Sequence, residues 1–282
     1  MKIKTLIIGK RSNLSNKLNY AIKDSELIAS KSILAEEFSF GKYVNYDGIN
    51  IIINTFHPTL KFDEFNKPKE YIENSIYVLS LILNQILKEN FSKKINKIIY
   101  SSSASVYGNN NYCYEDNSLI PMNLPASLKI SSEKHLEQFC ENLEIDYTIA
   151  RIFNMYGGDD NFSVISKIIK AAKDKKKITL INNGTSIRDF IHVDDVVLSY
   201  VRILKRKKVT CLNIATGKGV SVKMILDYLE LHGYSIEYKN IEKKEIKVST
   251  ANVSKLNDLI NVEKFQRVLS FIETKLKESN IL

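Results

Sequence analysis

The feature that most constrains this chain is a regular exchange of short apolar runs with longer amphipathic ones through its first half. Ile3–Ile8, Glu26–Ser30, Ile49–Asn54, Lys97–Ser102 and Tyr147–Ile152 read as strands. The consecutive isoleucines of INIIIN suit a strand covered on both faces. Between the strands, Asn16–Lys23 reads as a short helix and Pro125–Asn142 as a longer one. Pro68 opens another, with Ile72, Ile76, Leu79, Leu83 and Leu87 at spacings of three and four. Strands separated by helices imply an α/β fold with a doubly wound parallel sheet and right-handed crossovers. Ligands of such sheets sit beyond the carboxyl ends of the strands. The informative stretches are therefore Gly9–Ser15, Ser30–Lys31, Asn54–Pro58, Ser101–Gly108 and Arg151–Gly158. The alternation weakens after about residue 155. This divides the chain into a regular α/β region, 1–155, and a smaller, less regular C-terminal lobe, 156–282, with elements interleaving.

Composition closes off other classes. The 282 residues are 44% hydrophobic and 26% charged, which excludes a disordered chain, a collagen and a coiled coil. The net charge of +9 is spread over short lysine runs, the clearest being Lys173–Lys177 and Lys205–Lys208. Neither is interleaved with aromatic residues, so they read as solvated helix faces rather than a nucleic-acid platform. Cys113, Cys140 and Cys211 form no CxxC pair, so neither a metal site nor a disulfide framework is expected. The apolar run at the start is too short for a signal peptide. Ile76–Leu83 is interrupted by Tyr77 and Ser80, so no membrane insertion is expected and the chain reads as cytoplasmic.

Several motifs carry chemistry. The first strand runs into Gly9-Lys-Arg-Ser-Asn-Leu-Ser15, where Gly9, Ser12 and Ser15 occupy the small positions of a GxxGxxG pattern, which fits either a phosphate-binding turn or a plain strand-turn-helix junction. Ser101–Gly108 (SSSASVYG) follows a strand and offers hydroxyls to a substrate carbonyl or hydroxyl. Lys129, with Glu133 four residues on, lies in SLKISSEK. Arg151–Gly157 reads RIFNMYG, and Gly184–Asp195 reads GTSIRDFIHVDD. Asn213-Ile-Ala-Thr-Gly217 precedes a helix opened by Ser221.

In this order, these segments resemble the extended short-chain dehydrogenase/reductases, and within them the nucleotide-sugar epimerases, dehydratases and reductases. The resemblance runs from the first strand to about Ala251–Leu256. It implies a Rossmann-type domain with a small C-terminal substrate lobe. It places Ser103 at the catalytic Ser/Thr and Lys129 at the lysine that holds the nicotinamide ribose. Gly9, Arg11, Ser12, Leu14, Ser30 and Lys31 fall at cofactor-binding positions. Asn154 and Arg188 fall where the nucleotide sugar is held, the guanidinium being suited to a diphosphate. For Arg188 the alternative is an ion pair with Asp189 or Asp194. Asp189, His192 and Asp194 are expected to hold their loop and cap a helix at Val196.

Two departures stand out. Four residues before Lys129, where the family has its catalytic tyrosine, stands Pro125, which neither donates nor accepts a proton. Tyr112, Tyr114 and Cys113 are the nearby substitutes. No acidic residue ends the second strand, and Lys10 and Arg11 lie in the first turn, which favours NADP(H) over NAD(H). The reading is a nucleotide-sugar oxidoreductase of surface-glycan biosynthesis, first an NADPH-dependent ketoreductase of a nucleoside-diphosphate keto-sugar. Ala104-Ser105 after Ser103 replaces the Asp-Glu of the dehydratases. An epimerase, or a non-catalytic nucleotide-sugar-binding homologue that partners an active enzyme, stays in view, and a homodimer is left open.

Overall fold

The computed structural model describes residues 2–55 and 68–278, so residues 56–58 of the stretch after the third strand lie outside it. In chain order the elements begin with β1 (Ile3–Ile8), α1 (Asn13–Ala21), β2 (Ser25–Ile28), α2 (Ser30–Leu34), β3 (Gly48–Ile53) and α3 (Pro68–Ile72). They continue with α4 (Val78–Lys88), β4 (Ile95–Ser103), β5 (Asn110–Cys113), α5 (Leu124–Asn142), β6 (Tyr147–Ile152) and β7 (Asn154–Tyr156). Then come α6 (Val164–Asp174), β8 (Ile178–Ile181), β9 (Ile187–His192), α7 (Val193–Ile203), β10 (Cys211–Ile214) and β11 (Gly219–Ser221). The last are α8 (Val222–Leu231), β12 (Tyr238–Ile241), β13 (Val248–Ala251), α9 (Ser254–Asn257) and α10 (Val268–Lys277).

The chain forms two compact units. Unit one comprises Met1–Val106, Leu119–Arg151 and Val197–Leu212. Its strands belong to a six-stranded sheet of order β10-β6-β4-β3-β1-β2, in which β1 pairs in parallel with β2 and β3, and β3 with β4. Ile51, Ile52 and Ile53 are all fully buried, as a central strand covered on both faces requires. β2, at the sheet edge, is short and exposes Glu26. Each large aliphatic side chain so buried contributes about 1.5–3 kcal/mol of transfer free energy.

Helix α5 carries the part of this unit that matters most. Asn123 caps it by accepting a hydrogen bond from the Ala126 N–H, and Pro125 lies in the first turn, where a missing N–H costs nothing. Its buried stripe is Ala126, Lys129, Ser132, Glu133, Leu136 and Cys140. Half of that stripe is polar, which a helix packed only for stability would not present.

Several expected elements shift. Helix α1 begins at Asn13 rather than Asn16, and β2 ends at Ile28, so Ser30 and Lys31 form the first turn of α2 instead of a strand end. The long helix from Pro68 is interrupted by a π-helical turn at Glu73–Tyr77. Wider i→i+5 closure advances the phase of the helix. Tyr71, Ser75, Val78, Leu79, Ile82, Leu83 and Ile86 therefore face inward, while Ile72 and Leu87 are exposed. Helix α7 starts at Val193, not Val196.

Unit two comprises Tyr107–Ser118, Ile152–Val196 and Asn213–Leu282. A five-stranded sheet has the order β11-β9-β13-β5, with β7 also paired to β9, and β12 pairs with β8 separately. β11 runs antiparallel to β9, while β13 and β7 run parallel to it. Ile165, Ile168, Phe190, Ile225, Phe271 and Ile272 are among the side chains of its core. Among the described residues no helix is long and apolar enough to cross a membrane, and no group of three or more His, Cys, Asp or Glu side chains could hold a metal ion.

Candidate functional site

The turn between β1 and α1 is pressed against its neighbours. The Gly9 and Lys10 N–H groups both donate to Ile28 O, at 2.9 and 3.2 Å, which ties the turn to the end of β2. Gly9 has φ +111°, and a Cβ there would lie 2.1 Å from Asn54 O, so only glycine fits. Ser12, in contrast, has φ −77° and ψ 138°, a conformation any residue adopts, so serine here carries no backbone strain. The Asn54 amide donates to Ser12 Oγ at 3.0 Å and Ser15 Oγ at 2.8 Å. The Leu14 side chain is fully buried. Arg11, Lys10 and Lys31 are exposed, and the first turn of α1 holds no acid.

A nicotinamide dinucleotide needs a close backbone approach and a helix start that tolerates anions. Gly9 and α1 supply these. Among the described residues, Asn54 Oδ1 and Thr55 Oγ1, at this same end of the sheet, are buried with no hydrogen-bond partner. The residues present fit the group.

The three serines that end β4 separate into three roles. Ser101 Oγ shares a 2.7 Å hydrogen bond with the Tyr200 hydroxyl. The Ser101 carbonyl accepts from Lys129 Nζ at 2.7 Å, and the Thr55 carbonyl accepts from the same ammonium at 3.1 Å. The Ser102 hydroxyl donates to Glu133 Oε1. Ser103 alone is partly exposed, at the strand's carboxyl end, with Oγ accepting from the Ser105 N–H at 3.2 Å. Lys129 also lies 4.7 Å from the Tyr100 ring centroid, a cation–π distance. Burial lowers its pKa to about 7, against the pull of the Glu133 carboxylate, which favours the charged form.

The sequence sets Glu133 beside Lys129 but does not reveal what Glu133 binds. Glu133 is 1% exposed and takes a two-point contact from Arg151, Nε to Oε1 at 3.2 Å and Nη2 to Oε2 at 2.8 Å. The spacing of four from Lys129 was the available signal, since it sets both side chains on one helix face. Asn54 lies in the Asn54–Pro58 stretch that the strand pattern marks, but it matches no motif that would give it a role.

In unit two, Asn154 and Arg188 lie on the paired strands β7 and β9, where Asn154 is in register with Phe190. Asn154 Nδ2 donates to Asp189 O at 3.3 Å. Arg188 forms its ion pair with Glu245, at 3.1 Å, and not with Asp189 or Asp194 as the alternative had it. Asp189 instead accepts from the Thr216 N–H, the Thr216 hydroxyl and the Gly217 N–H, which ties β9 to the segment before β11. Burial pushes its carboxyl up to about 6 in spite of those donors. Tyr112 and Tyr114 are exposed and meet edge-on at 5.6 Å, while Cys113 between them is fully buried.

The chain is 28% identical over 204 residues to the UDP-glucuronate 4-epimerase of Thermodesulfobacterium geofontis, covering 70% of this chain and 62% of that protein. It spans about three-fifths of the length of such curated relatives. CDP-abequose synthase of Salmonella typhimurium is 34% identical over 139 residues, 44% of this chain and 46% of that protein. The solved UDP-glucuronic acid 4-epimerase of Bacillus cereus, in complex with UDP-glucuronic acid and NAD, superposes with a TM-score of 0.82 at 21% identity, covering 98% of both chains. The fold is thus Rossmann-type. The profile of the NAD dependent epimerase/dehydratase family matches residues 8–215, from the strand before the glycine turn through the serine strand and Lys129 to β10, and the chain belongs to that family.

Proposed function

We propose that this chain is a nucleotide-sugar oxidoreductase that reduces a nucleoside-diphosphate keto-sugar with NADPH, Lys129 moving the proton that a tyrosine moves elsewhere in the family. The observation that carries this reading is the buried Lys129, clamped by two carbonyls and brought to a pKa of about 7, on the helix whose tyrosine position is Pro125. An acid works best when its pKa lies near the working pH. A bound nicotinamide would supply the hydride for the carbonyl carbon. Lys129 gives a proton, through a water, to the carbonyl oxygen and is recharged from solvent, so that one hydride and one proton make the alcohol. The Ser103 hydroxyl, at the open end of β4, hydrogen-bonds the same oxygen. Lys10, Arg11, Ser30 and Lys31 favour the 2′-phosphate of NADP(H), and Gly9, Ser12 and Leu14 line the pyrophosphate turn. Arg188 and Asn154 hold the nucleotide sugar, the guanidinium exchanging Glu245 for a phosphate.

Epimerisation is the second reading, favoured by the names of the relatives at 26–29% identity, several of which are 4-epimerases. The deciding experiment follows NADPH absorbance with a 4-keto nucleotide sugar for wild type, Lys129→Met and Pro125→Tyr. Wild type is expected to consume NADPH, with activity falling as pH rises past about 7 and Lys129 loses its proton. Lys129→Met abolishes turnover and Pro125→Tyr raises it. Turnover that survives Lys129→Met overturns the role of the lysine. Conversion of a saturated nucleotide sugar to its epimer with no net cofactor consumption selects the epimerase. Binding without turnover in every variant selects a non-catalytic sugar-nucleotide-binding protein.

A further inference from the structure

We propose that Arg151 is a positioning residue for proton transfer: with the Ser102 hydroxyl it holds the Glu133 carboxylate back from Lys129, one helical turn away, so that the lysine keeps its ammonium on the strand-end carbonyls with a proton it can give up. The proposal rests on the reading of Lys129 as the proton donor and concerns what keeps that proton loosely held.

A lysine and a carboxylate four residues apart on a helix face are neighbours and ordinarily attract one another. Lys129 and Glu133 share the buried stripe of α5. Away from water a direct pair between them would be strong. The two groups are drawn instead to different elements. Glu133 Oε1 accepts from the Ser102 hydroxyl of β4 and from Arg151 Nε of β6, and Oε2 accepts from Arg151 Nη2. A planar guanidinium grips a carboxylate in this two-point way, which fixes its orientation as well as its place. Lys129 Nζ donates to the Ser101 and Thr55 carbonyls.

The Glu133 carboxylate acts on Lys129 through its charge, pulling the pKa up, while burial pulls it down and prevails. Direct contact would strengthen the upward pull and leave a poorer acid. The other titratable groups on the elements packed here do not supply that pull. Burial raises the Tyr100 and Tyr200 phenols far above neutrality, so both stay uncharged. On the helix from Pro68, Tyr71 is buried, Glu70 is exposed and Glu73 pairs with Lys69. On α5 itself Lys134 pairs with Glu137 at the surface. A buried ion pair is also a poor device for stability alone, since apolar residues of similar volume commonly serve as well.

The test compares the full-length wild type, Arg151→Met and Arg151→Met/Glu133→Leu by urea unfolding from pH 6 to pH 10, by NADPH-dependent reduction of a 4-keto nucleotide sugar over the same range, and by a crystal structure of Arg151→Met. In Arg151→Met the carboxylate is expected to close onto Lys129 as a direct ion pair. The pH at which the lysine titrates then rises by about one unit or more. The onset of the rise of stability with pH moves up with it, kcat at pH 7 falls, and the loss of activity at high pH sets in later, with KM for the sugar unchanged. The double variant, which lacks the carboxylate, titrates lower than wild type; its apolar pair keeps the proposal testable if Arg151→Met alone does not fold. A Glu133 that keeps its place in Arg151→Met overturns the proposal, because any shift then comes from the lost charge alone. So does a double variant that titrates at or above the wild-type pH. A wild type that consumes no NADPH overturns the donor reading, while the unfolding curves and the crystal structure still decide whether Arg151 holds Glu133 off the lysine.

Discussion

At the scale of residues, Lys129 carries a stability cost that has a sign. Its folded pKa of about 7 lies below the ordinary lysine value of 10.5, so between those values the unfolded chain binds more protons than the folded one. Stability therefore rises with pH through that window, by up to about 1.4 kcal/mol per pH unit, and falls again as pH drops towards 7. Lys129→Met is expected to remove that slope, which urea unfolding at pH 7, 8 and 9 measures; an unchanged slope would place the titrating group elsewhere. The SSSASVYG motif shows what was legible at this scale. The run of serines after a strand marked the place. The division of labour was hidden, because the partner of Ser101 is Tyr200 and that of Ser102 is Glu133, both distant in sequence. The Arg188 partner was misjudged for the same reason: Glu245 follows it by 57 residues.

At the scale of elements, α5 was the most legible helix and also the most informative. Pro125 gave its start to within a residue, since proline fits only the first turn. Its cap is Asn123, and the Asn123→Ala variant is expected to lose about 1 kcal/mol. That loss should appear as a lower denaturation midpoint with an unchanged m-value. Asn123→Asp should restore most of it, since aspartate caps equally well; failure of aspartate to rescue would show that the cap contributes little here. The helix from Pro68 illustrates the opposite outcome. Its i, i+3, i+4 pattern was real, but the π-helical turn at Glu73–Tyr77 changes which residues face inward, and hydrophobic spacing carries no mark of an i→i+5 closure.

At the scale of the whole molecule, the alternation of strands and helices gave the sheet, because βα units are local. What it could not give is the return of residues 197–212 to unit one after a long excursion, since pairing across such a separation leaves no local pattern. That return is extensive. The Ile149 N–H donates to Thr210 O at 2.8 Å, Lys97 Nζ donates to Arg206 O at 2.9 Å, and Thr148 Oγ1 donates to Val209 O. Tyr200, fully buried, meets Ser101. A fragment of residues 1–155 would leave β6, whose six residues are all buried in the native chain, as a bare apolar sheet edge. Such edges pair with other chains. It would also strand Lys97, 2% exposed, with one of its two acceptors gone, and leave Ser101 Oγ without its phenol. The fragment is therefore expected to aggregate or to remain molten, with a poorly dispersed amide spectrum and no cooperative melt. A version in which a short flexible linker joins residue 155 to residues 195–216 restores those partners and should recover dispersion. A well-dispersed, cooperatively melting 1–155 fragment would show that β1 to β6 carry unit one without the returning segment.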